Sequence, residues 1–367
     1  MIDYKFFEIN KSGFENVFGY VNCNLLSGIL PQEKFLKTTK EAKKYNGTLF
    51  IIDCNIENSI LPERVINYRK NKKLATKVIV DISYENGIEE KKYFKKVADI
   101  KQHGIKSEDI LTVMNKSGMR DFESIIFIDF FAISAVIRHL TFLTPVSNKL
   151  LSERTNRCNL LLGKVNKPSR RKIVEAFFKS KLKDTTLYSF LGTFETDNPQ
   201  LRKFVKKNQG PIDNVKTFDL KSGISSQGWS NSTKAYDEST VSFICETHET
   251  DNSVFFTEKI YRPILNKSPF VIRASFPALA HLRANGFKTF DDFIDEGYDS
   301  NWDITDEYSN MLVSTAEKLL SKVPKHYNKM QEIVDYNYEV LVKFAFSELK
   351  RLEKRLIQLL HFHFSFF

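Results

Sequence analysis

Four short, unbroken apolar runs in the first half of the chain limit the possible folds more than any other feature. They are Leu49-Phe50-Ile51-Ile52-Asp53, Lys77-Val78-Ile79-Val80-Asp81-Ile82, Ile110-Leu111-Thr112-Val113-Met114 and Ser124-Ile125-Ile126-Phe127-Ile128-Asp129. They are rich in β-branched residues and do not alternate apolar with polar. A strand of that kind is covered on both faces, which is the environment of a parallel sheet with helical crossovers. Ligands of such sheets sit beyond the carboxyl ends of the strands. That rule places Asp53, the Asp81–Glu85 stretch, Asn115 and Asp129 beside a prospective cleft.

The second half repeats the pattern. Asn159–Gly163, Leu187–Leu191, Val241–Cys245 and Phe270–Arg273 read as strands. Pro168 suits the first turn of a helix whose apolar face is Ile173, Val174, Phe177, Phe178 and Leu182. Thr257 suits the cap of another, carrying Ile260, Tyr261, Ile264 and Leu265, which Asn266-Lys267-Ser268-Pro269 ends. Pro277 opens one more, closed by Gly286. Helical spacing then runs from Asn310 onwards. The character changes at 144–158, where Thr144-Pro145 stops a helix and a basic segment follows. The expected architecture is α/β: a Rossmann-like domain over 1–150, a second over 151–310, and a helical tail over 311–367 that packs back on the first domain. A chain of 367 residues needs two cores, and 32 Phe help to fill them.

The net charge of +10 and a pI near 9.1 favour anionic partners, although a host preference for Lys accounts for the same numbers. Cys23, Cys54, Cys158 and Cys245 are far apart, so neither a zinc site nor a disulfide framework is expected. Met1–Lys5 shows no basic segment leading into an apolar stretch, and Ile125–Ile137 is too short to span a bilayer. The expectation is a cytoplasmic protein, host-cell cytoplasm if viral, without a transmembrane segment.

The sharpest chemical feature is Thr257-Glu258-Lys259. A helix start offers unpaired N–H groups and partial positive charge to a diphosphate. Glu258 suits ribose hydroxyls and Lys259 suits phosphate. A solvated Glu-Lys pair is the plain alternative. Lys164, Lys167, Arg170, Arg171 and Lys172 crowd another helix start, against the dipole preference, as if an anion docks there. Transfer to a hydroxyl with inversion needs a base; Glu85 and then Asp81 are the first choices, with Asp53 and Asp129 behind them. There is no Asp-x-Asp triplet to hold a metal on a diphosphate, and no metal or other cofactor is expected. His248, His361 and His363 form no ligand set or catalytic unit.

The stretch Phe255–Ile264, then Lys267–Ile272, then Leu282–Phe290, followed by Asp295-Glu296-Gly297-Tyr298-Asp299, resembles the C-terminal half of GT-B-type glycosyltransferases of phages and bacteria. That group is distantly similar to the α1,3-fucosyltransferases, whose donor motif also contains a Thr-Glu-Lys helix start. The resemblance covers Arg157 to Tyr308. It implies a GT-B fold, two Rossmann-like domains facing a cleft, with the acceptor on the first and the nucleotide sugar on the second. It implies that Glu258 holds the donor ribose and Lys259 the diphosphate. Arg262, Thr257, Arg170, Lys164 and Glu246 are the further donor-side candidates. Retaining GT-B enzymes often carry a second glutamate eight positions before the ribose-binding one; here that position is Thr250, so the reading leans to inversion.

The expected activity is therefore transfer of a sugar from a nucleotide-sugar co-substrate to a hydroxyl. Charge and the phage likeness point to double-stranded DNA with a hydroxymethylated base, held by Lys167, Arg171 and Lys172. The alternatives are a lipopolysaccharide or capsule glycan as acceptor, or a non-catalytic nucleic-acid-binding protein on a transferase fold.

Overall fold

The computed structural model describes residues 17–22, 48–53, 76–82, 97–102, 104–106, 109–115, 125–140, 145–163, 165–210, 233–246, 254–275, 277–300 and 303–361. The chain divides into two units. The first comprises Met1–Ser134, Leu220–Ile224 and Phe346–Phe367, the second Ala135–Asp219 and Ser225–Ala345. Each unit carries a parallel sheet, so the protein is α/β.

The first sheet holds β1 (Val17–Asn22), β2 (Thr48–Asp53), β3 (Thr76–Ile82), β4 (Ile110–Asn115) and β5 (Ile125–Ile128). All four neighbouring pairs are parallel, and the spatial order is the order of the sequence, β1-β2-β3-β4-β5. A Rossmann-like sheet contains a reversal of strand order, and these strands have none. β1 was not anticipated, because Gly19, Tyr20 and Asn22 interrupt its apolar character. After β5, helix α1 (Phe130–Leu140) starts on Asp129, whose carboxylate accepts the Ala132 N–H at 3.0 Å. The Asp129 N–H in turn donates to Glu348 at 3.0 Å, and Arg351 pairs with that carboxylate at 2.8 Å. Asp129, a weaker candidate for the base, is thus a buried helix cap.

The second sheet holds β6 (Cys158–Leu162), β7 (Thr186–Phe190), β8 (Val241–Cys245) and β9 (Phe270–Arg273), in the order β7-β6-β8-β9 and parallel throughout. β8 and β9 are buried along their whole length, as unbroken apolar strands require. Between the strands lie α2 (Pro168–Lys179), α3 (Pro199–Lys207), α4 (Lys234–Asp237) and α5 (Glu258–Leu265). They are followed by α6 (Ala278–Ala284), α7 (Asp306–Lys322) and α8 (Tyr327–His361). From β6 the chain moves outward to β7; from β8 it moves outward the other way, to β9. Right-handed crossovers then put α2 and α5 on opposite faces, and α7 packs on α2 and against β8 and β9. This sheet has a topological switch point, between β6 and β8.

Two buried polar devices hold this unit together. Below the switch, the Asn159 amide donates to Ser239 Oγ at 2.7 Å and Ser242 Oγ at 3.0 Å, and Ser242 meets Ser268 Oγ at 2.9 Å. On α8, the Asn337 side chain matches the backbone of Lys288 with one donor and one acceptor, each at 2.8 Å.

Candidate functional site

The site grows from the carboxyl end of β8. The residue after that strand, Glu246, is fully buried, and its N–H donates to the Arg273 carbonyl at 2.9 Å, continuing the pairing with β9. Its carboxylate turns to the start of α5. Oε1 accepts the Thr257 N–H at 3.0 Å and Oε2 accepts the Thr257 hydroxyl at 2.5 Å. Burial pushes this carboxyl above the ordinary glutamate range, against the pull of the Lys259 ammonium and the Thr257 bonds.

Thr257 is the cap the sequence suggests. Its backbone is extended, and its Oγ1 accepts the Lys259 N–H at 3.3 Å. The Lys259 ammonium folds back to the same Oγ1 at 3.1 Å and to Glu258 Oε1 at 2.7 Å. With side-chain exposures of 21% and 12%, Lys259 and Glu258 are the members of this cluster that solvent still reaches. Pro263 lies inside the helix and has no N–H to give the Lys259 carbonyl. The first turn of α5 is therefore tied to the rest of its helix by one bond fewer than usual.

Across the switch point, α2 begins with Lys167 at the cap position and Pro168 in the first turn. Arg170 is buried, and its Nη2 donates to the carbonyls of Cys245 and Glu246 at 3.3 and 3.1 Å. It braces the end of β8 from the neighbouring helix. The remaining cations diverge. Arg171 donates to the Glu195 carbonyl at 2.7 Å and lies 5.6 Å from the Phe194 ring centroid. Lys172 pairs with Asp306 at 2.7 Å, a bond that raises the lysine and lowers the aspartate. Groups of the same chain thus occupy three cations that run against the α2 dipole. Arg262 is buried under α4, its guanidinium 5.7 Å from the centre of the Tyr236 ring.

The structure thus gathers Glu246, Thr257, Glu258, Lys259 and Arg170 around the switch point, while Arg171 and Lys172 lead away from it. Glu85 and Lys164 lie outside the described residues; Asp81 and Asp53 are placed only as strand positions in β3 and β2. The acidic run is consumed by its own loop. Asp295 accepts the Gly297 N–H at 2.8 Å, and Glu296 takes the Phe290 N–H and Arg283, each at 2.8 Å. Asp299 caps α6 through the N–H groups of Ala278 and Leu279 at 3.0 and 2.8 Å. Tyr298 is buried. Sequence reasoning missed Arg273, fully buried at the end of β9, which donates to the Asp303 carbonyl at 2.9 Å and faces Tyr308. An arginine closing an unbroken apolar strand beside the end of β8 was the available signal.

Among the described residues, no cluster of three His, Cys, Asp or Glu is placed to hold a metal ion, and no helix is long and apolar enough to cross a membrane. A scan of the sequence against protein-family models and a search of curated proteins both found no match.

Proposed function

We propose that the protein is a glycosyltransferase that takes its sugar from a nucleotide-sugar donor, with the donor bound by a GT-B-type second unit. One observation carries this reading. The solvent-reached Glu258 and Lys259 open the capped helix between β8 and β9, held to the carboxyl end of β8 by Glu246, at the switch point where the strand order reverses. Ligands of doubly wound sheets bind at that place, and a helix start favours a diphosphate. Lys259 supplies a point charge to phosphate and Glu258 accepts ribose hydroxyls. Burial turns Arg262 into support for the helix, and Arg170 into a brace behind it.

The reaction in this reading is displacement at the anomeric carbon, with Glu85 or Asp81 as the base and Lys259 stabilising the leaving diphosphate without a metal. The net charge of +10 supports duplex DNA with a hydroxymethylated base as acceptor. A glycan acceptor, or nucleic-acid binding without catalysis, is the alternative. A thermal-shift screen of nucleoside diphosphates and their sugars tests the donor, and mass spectrometry of nucleosides from treated DNA tests the acceptor. Absence of any shift would overturn the donor reading. Transfer to a glycan but not to DNA would overturn the acceptor.

A further inference from the structure

Glu246 is sealed from solvent, yet it spends both carboxylate oxygens on one residue of the helix start. Thr257 presents two donors to it, a backbone N–H and a hydroxyl hydrogen. Because the hydroxyl hydrogen points at Glu246, both lone pairs of Thr257 Oγ1 face the other way. Those lone pairs accept the Lys259 N–H and the Lys259 ammonium. We infer that Glu246 is a positioning residue: by accepting both donors of Thr257 it fixes the hydroxyl's direction, and through it the place of the Lys259 ammonium. The inference rests on the donor-site reading above and adds to it a residue that no ligand touches.

The chemistry explains why a carboxylate stands here. An amide in its place offers one acceptor and one donor. In one orientation its N–H₂ faces the Thr257 N–H, donor against donor. In the other it donates to Thr257 Oγ1 and takes a lone pair that Lys259 uses. Only a group with two acceptors satisfies both Thr257 donors and leaves Oγ1 free for the lysine. Pro263 sharpens the dependence, because the helix's own ladder holds its first turn with one bond fewer. Among the described residues, the charged groups around Glu246 include Lys259 and Glu258 on α5, Arg170 on α2, and Arg273 at the end of β9.

The test uses the whole chain, with UDP, GDP and ADP as probes in titration calorimetry and amide NMR of Thr257. E246Q is expected to bind the accepted nucleoside diphosphate about tenfold more weakly, the scale of one charge-assisted hydrogen bond. T257V should show a similar loss, and the double variant no more than T257V alone, since both act through one hydroxyl. The wild-type Thr257 amide proton should shift with pH as Glu246 titrates, and should not in E246Q. A lower melting temperature with unchanged affinity in E246Q makes Glu246 merely structural and overturns the inference. So does additivity in the double variant. Should E246Q not fold, unchanged affinity in T257V or a pH-independent Thr257 amide in the wild type overturns it equally, and a loss in T257V together with a titrating amide supports it. Failure of the wild type to bind any nucleoside diphosphate removes the donor reading itself, which is a different result.

Discussion

Replacing Lys259 by Met separates what this side chain does for the fold from what it does for a ligand. Met keeps most of the stem and removes the ammonium. In the folded protein that ammonium lies 2.7 Å from Glu258 Oε1 and 3.1 Å from Thr257 Oγ1, and water reaches both partners of the ion pair. Pairs of that kind contribute about 0–1 kcal/mol. The substitution should therefore lower the melting temperature by about 2–4 °C at most. Binding is a different matter. An ammonium on a phosphate oxygen contributes about 1.5–3 kcal/mol. Giving up the pair with Glu258 offsets up to about 1 kcal/mol of it, leaving a net loss of roughly 0.5–3 kcal/mol in K259M. That corresponds to nucleoside-diphosphate affinity weakened roughly 2- to 160-fold. Calorimetric titration at one fixed salt concentration, beside a thermal melt of the same sample, measures both. Equal affinity in a variant that melts normally would refute a lysine facing the phosphates. A large fall in melting temperature would refute the placement of the pair near solvent.

Further predictions concern the frame around that lysine. R170M removes the donors on the Cys245 and Glu246 carbonyls and should cost at least about 2 kcal/mol in urea unfolding, since buried acceptors lose their partner. D299A uncaps α6 and should cost about 1–2 kcal/mol by the same assay, with nucleotide affinity of the folded protein little changed. Burial raises the folded-state pKa of Glu246, so the folded chain holds that proton more tightly than the unfolded one. Its contribution to stability is complete below the unfolded value of 4.5 and declines as pH rises through the raised folded value. The stability of wild type relative to E246Q should decline in that direction, followed by urea midpoints from pH ~4 to ~8. If DNA is the acceptor, its affinity should fall steeply on a log–log plot against salt, and a flat plot would exclude phosphate-driven binding.

Local signals in the sequence survive in the structure, and long-range partnerships were invisible in it. β8 and β9 fall on the residues that unbroken apolar runs indicate, and Thr257 caps α5 as its side-chain chemistry suggests. α3 went unread although Asn198-Pro199 is a cap followed by a first-turn proline, because its apolar face is only Leu201 and Val205 with Phe204. α7 starts at Asp306 on a Thr305 cap, earlier than its apolar spacing indicates, since its first turn is acidic and polar. The acidic run was legible as a pattern, but its work is structural: Asp299 meets α6 across about twenty residues of chain. Glu246 was legible as a nearby carboxylate, whereas its burial and its grip on Thr257, eleven positions away, are set by tertiary contacts. The basic cluster misled in one respect. Its conflict with the helix dipole is real, but Arg170, Arg171 and Lys172 meet carbonyls, an aromatic ring and an aspartate of the same chain.

The Asn159–Ser239–Ser242–Ser268 network has a consequence for how the second sheet assembles. β6, β8 and β9 are almost wholly apolar, and sheets of that kind gain nearly as much from sliding as from sitting correctly. Slip β8 by one residue and every side chain changes face. Ser242 would leave the Asn159 amide and Phe243 would take its place, stranding a buried donor at a cost of about 1–3 kcal/mol. Because Ser268 precedes β9 and meets Ser242, the penalty carries across three strands. The network acts as a key that admits one alignment of strands and so aligns the ends of β6 and β8, where α2 and α5 begin. Replacing Asn159 by Leu should then yield a protein that stays collapsed but loses a single set of amide resonances.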